Sequence, residues 1–463
     1  MIDEFIHNYE MESLSLGITA RKDVIDQVSA FFPRDAQARG IAGMFRTSEV
    51  LAARWREEKE ANGDENEDES EANDWHLVIA GNSKECFRNR FRNIHMVALA
   101  NAILKTKLSG IRELNLCYNH LGEEHEGADD EHDKEDEHGL HERKYLLDAA
   151  PYLERLLQTT AMYTSTIEEL NLSGNRLGGE SCRLLCASLA NNTTLRRLNL
   201  NGNPLRVAGG HAIAALLASW ESRLEELSIG NTEMETENLI AIASALRSND
   251  TLTSLNLDNP VVKTKEEEAI QHIGKMLQVN ETLRSISLCK HHLTDDGAQV
   301  LAERLLDNHT LQCLILRANQ IGSTGASALA ALILNHDALA QFDLSANRIG
   351  DVGAASFAQV LARNSSNLSV LSLCSTYLTN DGLAMIAEAC LHPQDPKVNR
   401  LRSLLLWGND FGPTSSQLLF ELCEGRFQDH DVETDFLPRV VGDHVHVAHK
   451  DCLRAAPFAS PKR

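Results

Sequence analysis

The sequence predicts an elongated α/β array in which one strand and one helix alternate many times along the chain. Three observations predict it. A skeleton L-x-x-L-x-L-x-x-N-x-I-G recurs at intervals of 28, 29, 28, 31, 28, 28, 29 and 33 residues from Ile167 onward. Within each copy the apolar spacing changes from alternate positions, as in a strand, to helical spacing. The core is aliphatic, because hydrophobic residues make up 43% of the chain and aromatics only 5%. One strand and one helix cannot bury their apolar faces alone, whereas stacking on the next copy buries both.

Taken in chain order, residues 1–56 lack the repeat, and "SEVLAARWREEKE" is expected to form a capping helix with Ser48 or Thr47 as N-cap. Glu57 to Asp74 is an acidic linker holding ten acids and one lysine. The repeats span 75–423. A degenerate first copy, "HLVIAGN", places Leu77, Ile79 and Asn82 in register. Good copies open at Ile111, Ile167, Leu195, Leu224, Leu252, Leu283, Leu311, Leu339, Leu368 and Leu401. In "LRRLNLNGNPL", Leu198 and Leu200 share one strand face; in "GESCRLLCASLANN", Leu184, Leu185 and Leu189 lie on one helix face. Residues 424–463 form a C-terminal cap and tail, with "TDFLPRVVGDHVHVAHKD" alternating as one short terminal strand.

These copies resemble the leucine-rich repeat family, specifically its ribonuclease-inhibitor-like subtype of 28 to 29 residues with a full helix per repeat. The resemblance covers roughly Trp75 to Cys423. It implies a curved solenoid, a horseshoe with the parallel sheet on the concave side and helices on the convex side. The C-terminal tail loosely resembles that of a vertebrate member of the subtype, which implies cytoplasmic or nucleolar protein binding.

One stretch breaks the register. Ile111 and Ile167 stand 56 residues apart, yet "GLHERKYLLDA" between them has neither L-x-L nor Asn, so no hidden repeat is expected there. An insertion of about a repeat's length, at about 123–150, separates the strand turn at Gly122 from a helix opening at Pro151. Leu156 and Leu157 then match Leu184 and Leu185 of the following repeat. Glu123 to Glu137 holds ten acids and one lysine, a composition expected to stay disordered.

Two polar columns call for reasons. Asn119, Asn175, Asn203, Asn319, Asn347 and Asn409 follow the strand, where an amide side chain can donate to and accept from buried turn backbone. The column fails at Thr232, Pro260, His291 and Thr376. Asn192, Asn249, Asn280 and Asn308 precede each repeat's first leucine by three residues; Asn tolerates the left-handed conformation that ends a helix.

The net charge of -23 lies mostly in the two acidic runs. That balance argues against a nucleic-acid ligand, because phosphate contacts need Lys and Arg, and favours a basic protein partner. No secretion signal or membrane span is read in the sequence, and ten scattered cysteines read as reduced thiols, so cytosol or nucleus is expected.

Nothing in the sequence carries a nucleotide-binding loop or a hydrolase motif, and no catalytic residue, cofactor or metal site is expected. Cys182 and Cys186 are expected in the core. Cys117, Cys289 and Cys374 share a concave position. His125, His132, His138 and His141 read as solvated charge; His444, His446 and His449 read as an exposed strand face.

Partner binding is expected on the residues flanking the strand leucines: Glu113, Asn115, Glu169, Asn171, Glu226, Ile315, Arg317, Val370, Leu405 and Trp407. The rival reading has the C-terminal cap covering Leu405 and Trp407. The function expected is a non-enzymatic, monomeric interaction scaffold. The alternatives are a GTPase-activating protein resembling Ran GTPase activators, whose acid lies after the repeats, or an inhibitor of a basic enzyme, like the far more cysteine-rich ribonuclease inhibitors. The acidic runs would steer a basic partner toward the N-terminal end.

Overall fold

The computed structural model describes residues 2–16, 20–21, 24–25, 75–80, 92–106, 111–122, 149–157, 166–261, 268–363, 366–395 and 400–450. Both acidic runs, the expected capping helix at 48–60 and the four histidines of the insertion lie outside them.

The strands follow the expected copies one by one: β1 (Trp75–Val78), β2 (Ile111–Asn115), β3 (Glu169–Asn171), β4 (Arg197–Asn199), β5 (Glu226–Ser228) and β6 (Ser254–Asn256). Then come β7 (Ser285–Ser287), β8 (Cys313–Ile315), β9 (Gln341–Asp343), β10 (Val370–Ser372), β11 (Ser403–Leu405) and the two-residue β12 (Glu433–Thr434). They form one twelve-stranded parallel sheet in sequence order. After the N-terminal α1 (Ile2–Ser15), the helices between strands are α2 (Asn93–Thr106), α3 (Ala150–Leu157), α4 (Gly179–Leu189), α5 (Arg206–Leu217) and α6 (Thr236–Leu246). They continue as α7 (Glu268–Val279), α8 (Asp295–Leu305), α9 (Ser323–Asn335), α10 (Gly350–Arg363), α11 (Asn380–Leu391) and α12 (Pro413–Leu422). Between sheet and helices lies one continuous core of Leu, Ile and Ala. This is the leucine-rich repeat solenoid.

Strand β2 pairs directly with β3, Glu113 opposite Glu169, so no repeat intervenes across the 56-residue interval. The insertion is closed at its base by the Ala149 N–H donating to the Leu121 carbonyl at 3.1 Å. Its helix, however, sits one turn away from the expected register. Asn192 Nδ2 donates to Leu157 O at 2.6 Å, as Asn249 does to Leu217 O and Asn308 to Leu277 O. Leu157 is therefore the counterpart of Leu189, and Leu153 of Leu185. Most of the extra length precedes α3 and a shorter part follows it.

The asparagines that precede each first leucine act through hydrogen bonds, not through a left-handed backbone. None of Asn192, Asn249, Asn280 and Asn308 has a positive φ. Each Oδ1 accepts from the two amides that open the next strand, as Asn308 does from Thr310 N at 2.9 Å and Leu311 N at 2.8 Å. Each Nδ2 reaches back to the end of the preceding repeat's helix. At His336 the imidazole takes the same place, its Nδ1 accepting from Ala338 N and Leu339 N.

The ends are covered by elements the repeat pattern does not announce. At the N-terminus α1 buries Phe5 and Tyr9 fully, and Lys105 of α2 pairs with Glu12 of α1. That pairing, helped by Asn101 donating to the same carboxylate, holds Glu12 below the usual carboxylate range. At the C-terminus the expected single strand is an antiparallel hairpin, β13 (Phe436–Val441) with β14 (His444–His449). Gly442, at φ +63°, turns its two-residue connection. β12 closes the sheet, and Asp435 replaces a further strand: its carboxylate accepts from Leu406 N at 2.9 Å and Trp407 N at 3.1 Å.

Candidate partner-binding face

Period-two geometry places the residues flanking the strand leucines on the sheet face away from the helices, and pairing aligns them in rows. The first row runs Glu113, Glu169, Arg197, Glu226, Ser254, Ser285, Cys313, Gln341, Val370, Ser403. The second runs Asn115, Asn171, Asn199, Ser228, Asn256, Ser287, Ile315, Asp343, Ser372, Leu405. Of the ten residues expected to bind, Arg317 is exposed and the other nine are half-buried. The rows thus bring Glu113, Glu169 and Glu226 together at one end and set Val370, Leu405 and Trp407 at the other.

The acidic end is internally compensated. His76 Nδ1 lies 2.9 Å from Glu113 Oε2 and holds that carboxyl below its ordinary range. Glu169 pairs with Arg197, which stands in register between Glu169 and Glu226. In the second row each amide is oriented by its own turn: Asn171 Oδ1 accepts from Ser173 N at 3.1 Å, Asn199 from Asn201 N at 3.0 Å and Asn256 from Asp258 N at 2.9 Å.

Two residues of this face were missed in the sequence. His76 opens the first row from the degenerate copy, one position before Leu77, and the period already placed it there. Asp258 stands two positions after Asn256, where its Oδ1 accepts from Ser287 Oγ at 2.6 Å and Cys289 N at 2.8 Å.

Cys117 is buried, and burial raises its pKa. Burial likewise pushes the Cys289 and Cys374 thiols up to about 11. Cys182 and Cys186 are core residues, with Sγ atoms 3.9 Å apart. Among the described residues no group of three or more His, Cys, Asp or Glu is placed to hold a metal ion. No helix among them is long and apolar enough to cross a membrane.

At the apolar end Trp407 is part of the cap. Its ring packs 6.0 Å from Phe411 and edge-on to His449 at 4.9 Å, and Phe411 in turn packs against buried Phe436. Cys374 Sγ donates to Asp435 at 3.1 Å, fastening the cap to the face. The hairpin therefore covers much of the surface that Trp407 would offer a partner. His449 lies against that ring rather than on a free strand face.

A family model described as Leucine Rich repeat matches residues 164–186, 191–214, 279–302, 307–330 and 339–358. Leucine-rich repeat-containing protein 34 of Mus musculus is 33% identical over 222 residues, covering 48% of this chain and 52% of that protein. The Rattus norvegicus protein of the same name is 35% identical over 202 residues, 43% of this chain and 47% of that one. The matches thus span about half the length of these relatives. Among solved structures, a chain of the Rad7 and Elc1 complex in yeast is 19% identical, with a TM-score of 0.41, covering 59% of this chain and 63% of that one. In repeat and in fold, this chain carries leucine-rich repeats, and over less than half its length it is similar to leucine-rich repeat-containing protein 34 of rodents.

Proposed function

We propose that the chain is a non-enzymatic scaffold that docks a protein partner on its sheet face. The observation supporting this is the continuous twelve-stranded sheet, whose side chains stand in register about 4.8 Å apart from strand to strand. Such a face offers a partner many contacts, and burial holds two of its thiols, Cys289 and Cys374, away from the thiolate form. Glu113, Glu169 and Glu226, with the acidic runs nearby in sequence, favour a basic partner surface. Cytoplasm or nucleus is the compartment this reading fits.

The test is a charge reversal in the full chain. Parent, Glu113→Lys/Glu226→Lys, and a helix-side control, Glu303→Lys, are used to capture proteins from a lysate for quantitative mass spectrometry. Proteins retained by parent and control but reduced about tenfold with the sheet-face variant support the reading. Equal capture by all three overturns it.

A further inference from the structure

We infer that the solenoid has a one-sided compliant seam between the repeats of Ile229 and Leu257, opening at the turn edge and pivoting at the opposite edge. Regular seams are tied at the turn by a buried side chain. Asn203 Nδ2 donates to Leu172 O at 2.9 Å, while its Oδ1 accepts from Asn175 N at 2.9 Å and Leu177 N at 3.0 Å. Asn347 likewise ties to Leu316 O at 2.9 Å and Ile321 N at 3.1 Å. The repeat of Leu257 has Pro260 at this position, buried, with no side-chain donor or acceptor. Thr232 on the other side bonds within its own repeat, to Ile229 O at 2.7 Å. Among the described residues, what crosses at this turn is the backbone, Asn231 N to Asp258 O and Val261 N to Met234 O, both 2.8 Å, with Asn259 Nδ2 to Asn231 Oδ1 at the surface.

The opposite edge of the same seam keeps its side-chain ties. Asn280 Nδ2 donates to Leu246 O at 2.7 Å and Asn249 O at 3.0 Å. Thr253 donates to Glu225 O through both its amide, at 2.7 Å, and its hydroxyl, at 3.0 Å. A stack tied at one edge and loosened at the other bends about the tied edge. In a quasi-one-dimensional array such a seam lets the repeats on either side of it tilt relative to one another. The seam falls between the acidic rows Glu113–Glu226 and the rest of the face, so the two parts can change their mutual inclination around a bound surface.

Residue-resolved amide hydrogen exchange on the full chain tests this. The seam amides Asn231 and Val261 are compared with Ala318 and Arg348, which make the equivalent bonds at the Asn347-tied seam. The pivot amide Thr253 is compared with its counterpart Ala340. Expected are about tenfold faster exchange at Asn231 and Val261 than at Ala318 and Arg348, and matched exchange at Thr253 and Ala340. Asn347→Thr, which leaves Pro260 untouched, should raise Ala318 and Arg348 to the seam rate. Equal exchange at the two seams in the parent, or no acceleration in Asn347→Thr, overturns the inference.

Discussion

Two stretches of the same ladder do the same job differently. From Asn319 to Asn347 each turn is held by a buried amide that donates to its own repeat and to the one before it. From Thr232 to His291 the amide is absent three times in succession, yet the turn carbonyls still find donors. Thr232 Oγ1 serves Ile229 O at 2.7 Å, and His291 Nε2 reaches back across the seam to Leu257 O at 2.9 Å, where Pro260 offers nothing. The solenoid therefore requires that each buried carbonyl be bonded, and it tolerates loss of the second, cross-repeat bond.

That comparison breaks most visibly at Asn347. Asn347→Ala removes bonds to Leu316 O, Leu344 O and Ile321 N in a fully buried turn, and should cost about 3 kcal/mol. Thr232→Ala removes one bond and should cost about 1 kcal/mol. Urea denaturation of both variants checks the pair, and equal losses would show that the cross-repeat bonds contribute nothing.

The next effect is on pH. Burial lowers the His291 pKa to about 4, against Asp258, which raises it, and His292, which lowers it further. Its folded pKa lies below its unfolded value, so the unfolded chain takes up the proton first. His291 therefore leaves stability intact above pH about 6.5 and removes it progressively as pH falls toward 4. His291→Asn should flatten that part of the stability–pH curve. An unchanged slope between pH 6.5 and 4 in the variant would place the proton elsewhere. At the small end, Thr232→Asn should add around 1 kcal/mol if the turn can take the regular amide; a clear loss would show another turn geometry. Smallest of all, deletion of Glu123 to Glu137 should leave the melting temperature unchanged, since β2 and β3 pair directly without it.

The sequence made legible what repetition encodes. The strand rows follow from period two, and each pairing from Glu113–Glu169 to Ser372–Leu405 is as the spacing requires. It was less informative where a single residue has two sound reasons. Asn308 suits a left-handed helix end, but its amide instead bridges two repeats, and only the neighbouring backbone distinguishes the two. Leu153, Leu156 and Leu157 fit the helical pattern in more than one register, so the last turn of α3 is fixed by Asn192 from the next repeat. The caps were the least legible, because their sequences do not repeat. Phe5, Tyr9 and the cover over Trp407 depend on contacts distant in sequence. Of the candidate face, the acidic rows could be read directly, whereas the bonds that His76 and Arg197 make to them depend on pairings that only the sheet supplies.

The hydrogen bond that joins Ala149 to Leu121 has a consequence for how such a chain can change. It fixes both ends of the inserted segment at one turn, so the array on either side is indifferent to what lies between. Closing a longer loop is cheap, since each doubling of loop length costs only about 0.6 kcal/mol in closure entropy. This turn is therefore a port: sequence can be lengthened, shortened or exchanged there with little thermodynamic resistance, while a single residue inserted inside a strand would shift every side chain beyond it to the other face. A fluorescent or affinity module grafted at that point would sit beside the acidic end of the sheet without altering a single row.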